Sequence, residues 1–310
     1  MRRHLSFVIC SGILLLAASC GTLRPPAAAT EHATQRSVLK VNSTCQPYSF
    51  YQPWGKKKHY NRSGMAVVVG RNLMLLQAQL IRDHTFIQLE KLESGDKSPA
   101  TVVCVDYKAD LALIRADDPA FVADCRPLPV VDKLTEDMPV DVWQFEHNGT
   151  AHVTSGAMRR AEVAPTAHGL NLIYDLRVKL PGFPYPMGTP ALHQGGLVGL
   201  LRRYSSNSES LQVVAPEVIR HFLDDFRDGD YEGFPEAGLG YVALDDPQLR
   251  SFCKLPETEE GVFVTHIRPR SPAQQAGLRT GDVLLGIDEH DVDRFGEYDD
   301  PDHGRTALAN

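Results

Sequence analysis

What this 310-residue sequence lacks narrows its function early. It has no basic excess: 32 Lys and Arg stand against 39 Asp and Glu, a formal charge of −7, so it is not a sequence-independent nucleic-acid binder. No pair of its six cysteines has C-x-x-C spacing, which removes the usual zinc sites. The acidic stretch 288–302 does not supply the full ligand set of an EF-hand loop, so no calcium site is expected, and nothing calls for a cofactor. Beyond residue 18 no apolar run approaches the ~20 residues that a membrane-spanning helix needs. What remains is 43% apolar and 23% charged, an ordinary globular composition with room for about two domains.

The N-terminus is the clearest address. Arg2 and Arg3 precede an apolar run, Leu5 to Ala18, and then Leu16-Ala-Ala-Ser-Cys20-Gly. A positive start, a short apolar core and small residues before a cysteine resemble a bacterial lipoprotein signal peptide over 1–20, with Cys20 as the lipidated residue. Gly21 rather than Asp after the cysteine implies the outer membrane in such proteins. An ordinary signal peptide cleaved near Ala18 or Ser19 is the alternative. Residues 21–37, rich in Ala, Pro and Thr, are expected to be a flexible tether. Export permits disulfides among Cys45, Cys104, Cys125 and Cys253, but four cysteines allow three pairings, and Cys104 reads equally well as a buried free thiol.

From residue 38 to 226 short β-type runs alternate with turn residues. They are Met65–Val69, Asn72–Leu76, Thr85–Leu89, Thr101–Val105, Leu111–Ile114, Val140–Trp143, Leu170–Ile173 and Leu197–Leu201. That rhythm predicts a mainly β barrel or sandwich. Pro216 followed by Val218, Ile219, Phe222, Leu223 and Phe226 predicts one amphipathic helix, and residues 227–236 read as a linker.

Several stretches of this domain carry a resemblance. Ser63-Gly-Met-Ala-Val-Val-Val-Gly70, Leu75-Leu-Gln-Ala-Gln-Leu80, Asp110-Leu-Ala-Leu-Ile114, Val153-Thr-Ser-Gly156 and the turn and strand Met187 to Leu200 resemble, in order, the motifs of HtrA (DegP-like) serine proteases. The resemblance implies a trypsin-like double β-barrel. It also places Gln79 where the family has its general-base histidine, Asp110 where it has its aspartate, and Met187 where it has its nucleophilic serine. A thioether has no proton to lose and forms no acyl-enzyme, and an amide does not ionise near neutral pH. The aspartate that remains only orients the missing imidazole. Pro186 and Thr189 further alter the turn that would aim N–H groups at an oxyanion. Asp110 has an equally good structural reading, as a buried or turn carboxylate. A relocated site drawing on His193 or on Ser205, Ser206, Ser208 and Ser210 is the weaker alternative.

Residues 237–310 carry a second resemblance, to PDZ domains. Gly238-Leu239-Gly240-Tyr241 is similar to the carboxylate-binding loop, and Ser271-Pro-Ala-Gln-Gln-Ala-Gly277-Leu-Arg-Thr-Gly281-Asp-Val-Leu-Leu to the helix and turn that follow. This implies capture of a peptide C-terminus by loop N–H groups, with the peptide added to the sheet edge. Asp288 to Asn310 are acidic and turn-like, without a second helix to wall the groove, so the PDZ (α+β) domain is expected to be partial.

The expectation is therefore an exported, lipid-anchored and catalytically silent relative of HtrA proteases that binds protein or peptide C-termini. The alternatives are an active endopeptidase with its catalytic residues elsewhere, or a non-catalytic subunit of a homo- or hetero-oligomer.

Overall fold

The computed structural model describes residues 27–146, 148–182 and 186–308. Cys20 and the rest of the predicted signal peptide, and Phe183 to Tyr185 of the loop before Met187, lie outside them.

Helix α1 (Ala27–Arg36) occupies the last part of the expected tether, a correction to the reading of 21–37 as flexible throughout. The alanines and unbranched residues Gln35 and Arg36 are good helix formers, so the alanine content that reads as linker composition also suits a helix. Its end is fastened, with Ser37 bonded to the carbonyls of Ala33 (3.0 Å) and Arg126 (2.5 Å).

The first barrel comprises β1 (Val38–Cys45), β2 (Tyr60–Gly70), β3 (Leu73–Leu76), β4 (His84–Lys91), β5 (Lys97–Asp106) and β6 (Leu111–Ala116). A short helix, α2 (Ala78–Ile81), sits between β3 and β4. The strands close in the order β1-β2-β3-β6-β5-β4, all antiparallel. Along β1 burial alternates from Leu39 onward, so that Leu39, Val41 and Cys45 face inward. That period of two is what closes a sheet around an apolar interior.

The second barrel comprises β7 (Pro139–Phe145), β8 (Ala151–Pro165), β9 (Leu170–Arg177), β10 (Pro190–His193), β11 (Gly196–Ser205) and β12 (Ser210–Val214), closed in the order β10-β11-β12-β9-β8-β7. Two barrels of six antiparallel strands are the predicted trypsin-like architecture. The eight predicted runs fall on strands, save that Asn72 of the second belongs to the turn before β3, whereas β1, β10 and β12 were not singled out in the sequence. Each barrel has its own core. The second core extends into the first through Val67, Leu75 and Leu113, and takes in the amphipathic helix α3 (Pro216–Asp228). Pro216 starts α3, Gly229 ends it at φ +84°, and Ile219 and Phe222 are fully buried. Burying a side chain of that size contributes about 2–3 kcal/mol.

The C-terminal unit holds β13 (Leu239–Ala243), α4 (Pro247–Cys253), β14 (Val262–Ile267), α5 (Pro272–Gln275) and β15 (Val283–Leu284), with sheet order β13-β14-β15. Two hairpins follow: β16 (Gly286–Ile287) with β17 (His290–Asp291), and β18 (Glu297–Asp300) with β19 (Gly304–Ala307). Among the described residues no helix follows α5. The unit's own core is thin, built on Val262, Val292 and Leu308. Polar ties hold it to the barrels: Lys133 to Asp302 (2.9 Å), His303 to Glu217 (3.5 Å), and Glu236 bridging Lys108 (2.7 Å) and Arg268. Cys45, Cys104, Cys125 and Cys253 are all free thiols.

Candidate functional site

The sequence motifs at 75–80 and 110–114 meet in space. Asp106 Oδ1 accepts from the N–H groups of Lys108 (2.7 Å) and Ala109 (2.9 Å), a tight turn that delivers Asp110 to the end of β6 at φ +55°. Aspartate is one of the few side chains that accept this left-handed conformation. From there its carboxylate points at α2. Oδ1 accepts the Gln79 backbone N–H (3.0 Å), and Oδ2 accepts Gln77 Nε2 (3.3 Å). The Asp110 carbonyl accepts the Ala78 N–H (3.2 Å), so one residue caps the start of α2 through both backbone and side chain.

The bonds that reach Asp110 come from the Gln79 backbone and the Gln77 amide; none comes from the Gln79 side chain. Gln79 Nε2 is buried with no hydrogen-bond partner among the described residues, as is Gln77 Oε1. Arg62 bonds the Gln79 carbonyl and fixes the other side of the turn. Burial pushes the Asp110 carboxyl above the ordinary carboxylate range. The Gln79 N–H bond and then the positive charge of Arg202 hold it back. Arg202, at the end of the apolar run of β11, is itself pulled down by burial and supported by Asp110. Its Nη2 donates to the Pro165 carbonyl (2.8 Å), while Nη1 is buried without a partner.

Met187 sits between the barrels. Its carbonyl accepts the Met65 N–H (2.8 Å), and residues 64 and 187 form a parallel bridge. The turn is tight on both sides. A Cβ on Gly188, at φ +82°, would fall 2.4 Å from the Met65 oxygen, and one on Gly64 would fall 2.6 Å from the Met187 oxygen. Thr189 folds back, its hydroxyl donating to the Pro186 carbonyl (2.7 Å) and its N–H to the same oxygen (3.2 Å). The Met187 side chain is about one-third exposed (36%). Beside it a hollow of about 150 Å³, lined by Lys40, Ser63, Gly64, Glu90 and Pro186 among others, is too small for a folded partner.

Gln77 and Arg202 were not singled out in the sequence. Each is a polar residue at the end of an apolar strand run, and that interruption is the signal available for finding them. Among the described residues the alternative candidates are held apart. His193 bonds the Pro139 carbonyl (2.6 Å), Ser208 bonds Ser205 (2.8 Å), and Ser210 bonds Asp175 (2.5 Å).

In the C-terminal unit, Gly238 has φ +74°, and a Cβ there would fall 2.4 Å from Ser271 Cβ. Its carbonyl accepts the Arg268 N–H (2.7 Å), which fixes the loop against the start of α5. Leu239, Gly240 and Tyr241 then enter β13, an edge strand whose only sheet neighbour among the described residues is β14, with a register shift between Gly240 and Tyr241. The Tyr241 ring packs over Gly296, and its hydroxyl donates to the Leu308 carbonyl (3.3 Å), so the side chain serves the unit's core while the backbone stays at the edge.

Comparison with known proteins gives one consistent picture. A family model described as PDZ domain matches residues 263–300. Protease Do-like 4, mitochondrial, from Arabidopsis thaliana is 27% identical over 283 residues, covering 88% of this chain and 54% of its own length. Protease Do-like 2, chloroplastic, from the same plant is 28% identical over 271 residues, covering 85% and 44%. The chain thus spans about half the length of the curated relatives it matches. Among solved structures, the HtrA-type protease AlgW with decapeptide superposes with a TM-score of 0.62 at 18% identity, covering 85% of this chain and 86% of that one. At that identity the likeness is one of fold.

Proposed function

Since the chain is a relative of the HtrA/DegP-like, trypsin-fold proteases with a C-terminal PDZ domain, we propose that it has kept their scaffold and lost their chemistry, and that it acts by binding protein segments. One observation carries this reading. Around Asp110 the helix α2 retains its anchoring, yet the side chain at 79 is an amide and the side chain at 187 is a thioether. Neither can shuttle the proton that a serine mechanism needs. Asp110 then has a structural task, closing the turn into α2, which explains its presence without catalysis.

The binding reading rests on β13. An edge strand entered through a positive-φ glycine offers unpaired backbone groups to an extended peptide. AlgW, whose structure is described with a decapeptide, supports it by likeness of fold. Leu239 to Tyr241 supply the edge and Gly238 the loop. Export and lipidation at Cys20 complete the proposal and put the protein in the cell envelope. No helix among the described residues is long and apolar enough to cross a membrane.

The test pairs two measurements on the purified chain. A serine-reactive fluorophosphonate should label nothing, and peptides with a free C-terminal carboxylate should bind more tightly than the same peptides amidated. Stoichiometric labelling would overturn the first half of the proposal, and equal affinity for the two peptide forms the second.

A further inference from the structure

The connection between β1 and β2, residues 46–59, plays no part in either site, and its composition is unlike the rest of the surface. It reads Gln-Pro-Tyr48-Ser-Phe50-Tyr51-Gln-Pro-Trp54-Gly-Lys56-Lys57-Lys58-His59. The chain leaves the barrel here as an ordered hairpin. Residues 48 and 56 bridge, Ser49 N–H bonds the Gly55 carbonyl (2.8 Å), Gly55 N–H bonds the Gln52 carbonyl (2.8 Å), and Lys57 N–H bonds the Pro47 carbonyl (2.9 Å).

The tip so built holds large rings out in water. Phe50 is 87% exposed, Tyr51 90% and Trp54 84%. Phe50 and Tyr51 meet edge to face, 5.6 Å between centroids, and Lys56 lies over the Tyr48 ring at 5.3 Å. Isolated exposed rings are ordinary, but three within five residues on one hydrogen-bonded tip are an apolar cluster that no other described residue covers. Directly behind stand three lysines, and among the described residues none of them pairs with a carboxylate.

We propose that this hairpin is a membrane-docking element, which seats Phe50, Tyr51 and Trp54 in the interfacial region of an anionic bilayer and sets Lys56, Lys57 and Lys58 against its phosphates. Three features choose this occupant. Aromatic rings, and Trp and Tyr above all, are suited to the headgroup level, where one edge is apolar and the other wet. Unpaired cations on a chain of net charge −7 complement an anionic surface. A narrow convex tip can sink into lipid, whereas a stable protein interface wants roughly 800 Å² from each partner. A two-fold pairing of this surface with a second copy would also set the lysine rows against each other.

The sequence supplies its own probe. It has two tryptophans, and Trp143 is buried in the second barrel, so a lipid-dependent change in emission reports Trp54. The full chain is mixed with phosphatidylcholine vesicles, with and without phosphatidylglycerol, and with brominated acyl chains as a contact quencher. The readout is local, so a lipid anchor elsewhere on the chain does not produce it. We expect a blue shift and quenching of Trp54 with anionic vesicles, weakened by salt, and loss of quenching in Phe50→Ser/Tyr51→Ser. Lys57→Gln/Lys58→Gln should weaken binding to anionic vesicles by about fivefold per lysine and leave neutral vesicles unchanged. These sites lie outside the core, so an unchanged thermal unfolding curve confirms that the variants fold. Emission indifferent to saturating anionic lipid would overturn the proposal. So would a blue shift that grows with protein concentration without lipid, which would assign the tip to contact between copies.

Discussion

Asp110 offers a clean separation between a catalytic remnant and a structural carboxylate. Replacing it with Ala removes the acceptor of two bonds, from the Gln79 N–H and from Gln77 Nε2, and strands one donor on a buried residue and one on a half-buried one. Each unsatisfied donor costs about 1–3 kcal/mol. A β-carbon without a polar group at φ +55° adds about 1 kcal/mol. Discounting for relaxation, Asp110→Ala should destabilise the fold by about 2–4 kcal/mol. Asp110→Asn should cost far less. Its Oδ1 can keep the Gln79 N–H, asparagine tolerates the left-handed backbone, and Gln77 can turn its amide so that the now unpartnered Oε1 accepts from the new Nδ2.

The pH dependence separates the two further. Burial raises the carboxyl of Asp110, so between its ordinary value of about 4 and its raised folded value the native chain holds a proton that the unfolded chain has released. Stability therefore falls as pH rises through that window, and Asp110→Asn should remove that slope. Urea unfolding of the three proteins, followed by circular dichroism across acid to neutral pH, measures both effects. If the Ala variant were as stable as wild type, or the Asn variant as damaged as the Ala variant, the capping argument would fail.

Two glycines at the same backbone angle should part company under substitution. Gly188→Ala meets the Met65 carbonyl at 2.4 Å and should lower stability by about 2 kcal/mol or more, while Gly195→Ala, with open space around it, should cost about 1 kcal/mol, as thermal unfolding would show. Glu236, its carboxyl held below the ordinary range by Lys108 and then Arg268, ties the C-terminal unit to the barrel. That tie is fully formed above about pH 4.5 and is lost as pH falls through the depressed folded value. Glu236→Gln should speed proteolysis within 229–236 at neutral pH without moving the barrel's unfolding midpoint.

The barrels were legible because their strands are locally encoded. Met65–Val69 and Leu111–Ile114 are apolar runs bounded by turn residues, and closing a barrel leaves such runs one place to go. Strands β10 and β12, four and five residues long, carry too few alternations to stand out. The resemblance brought positions 79 and 110 to one site, but it foretold neither the bond from the Gln79 backbone nor the partner Gln77. Side-chain competition for one carboxylate depends on rotamers and on distances across 33 residues of sequence. Arg202 was hidden for the same reason, since its charge matters only because Asp110 lies near it in space. The helix at 27–36 was missed because Ala-rich composition serves helices and linkers alike. In the C-terminal unit the glycines at 277 and 281 do stand in turns, with φ of +88° and +101°, but no local signal told of Tyr241 packing over Gly296 and bonding the Leu308 carbonyl.

The central claim is that this scaffold no longer cuts. Unfolded casein incubated with the purified chain tests it most directly, alongside the Gln79→His/Met187→Ser variant and a serine-directed phosphonate. No cleavage by the wild-type chain at any enzyme concentration is the expected result, and any activity gained by the variant would fix positions 79 and 187 as the places where it was lost. Cleavage by the wild-type chain that the phosphonate abolishes would contradict the claim and put a working nucleophile elsewhere on the same barrels.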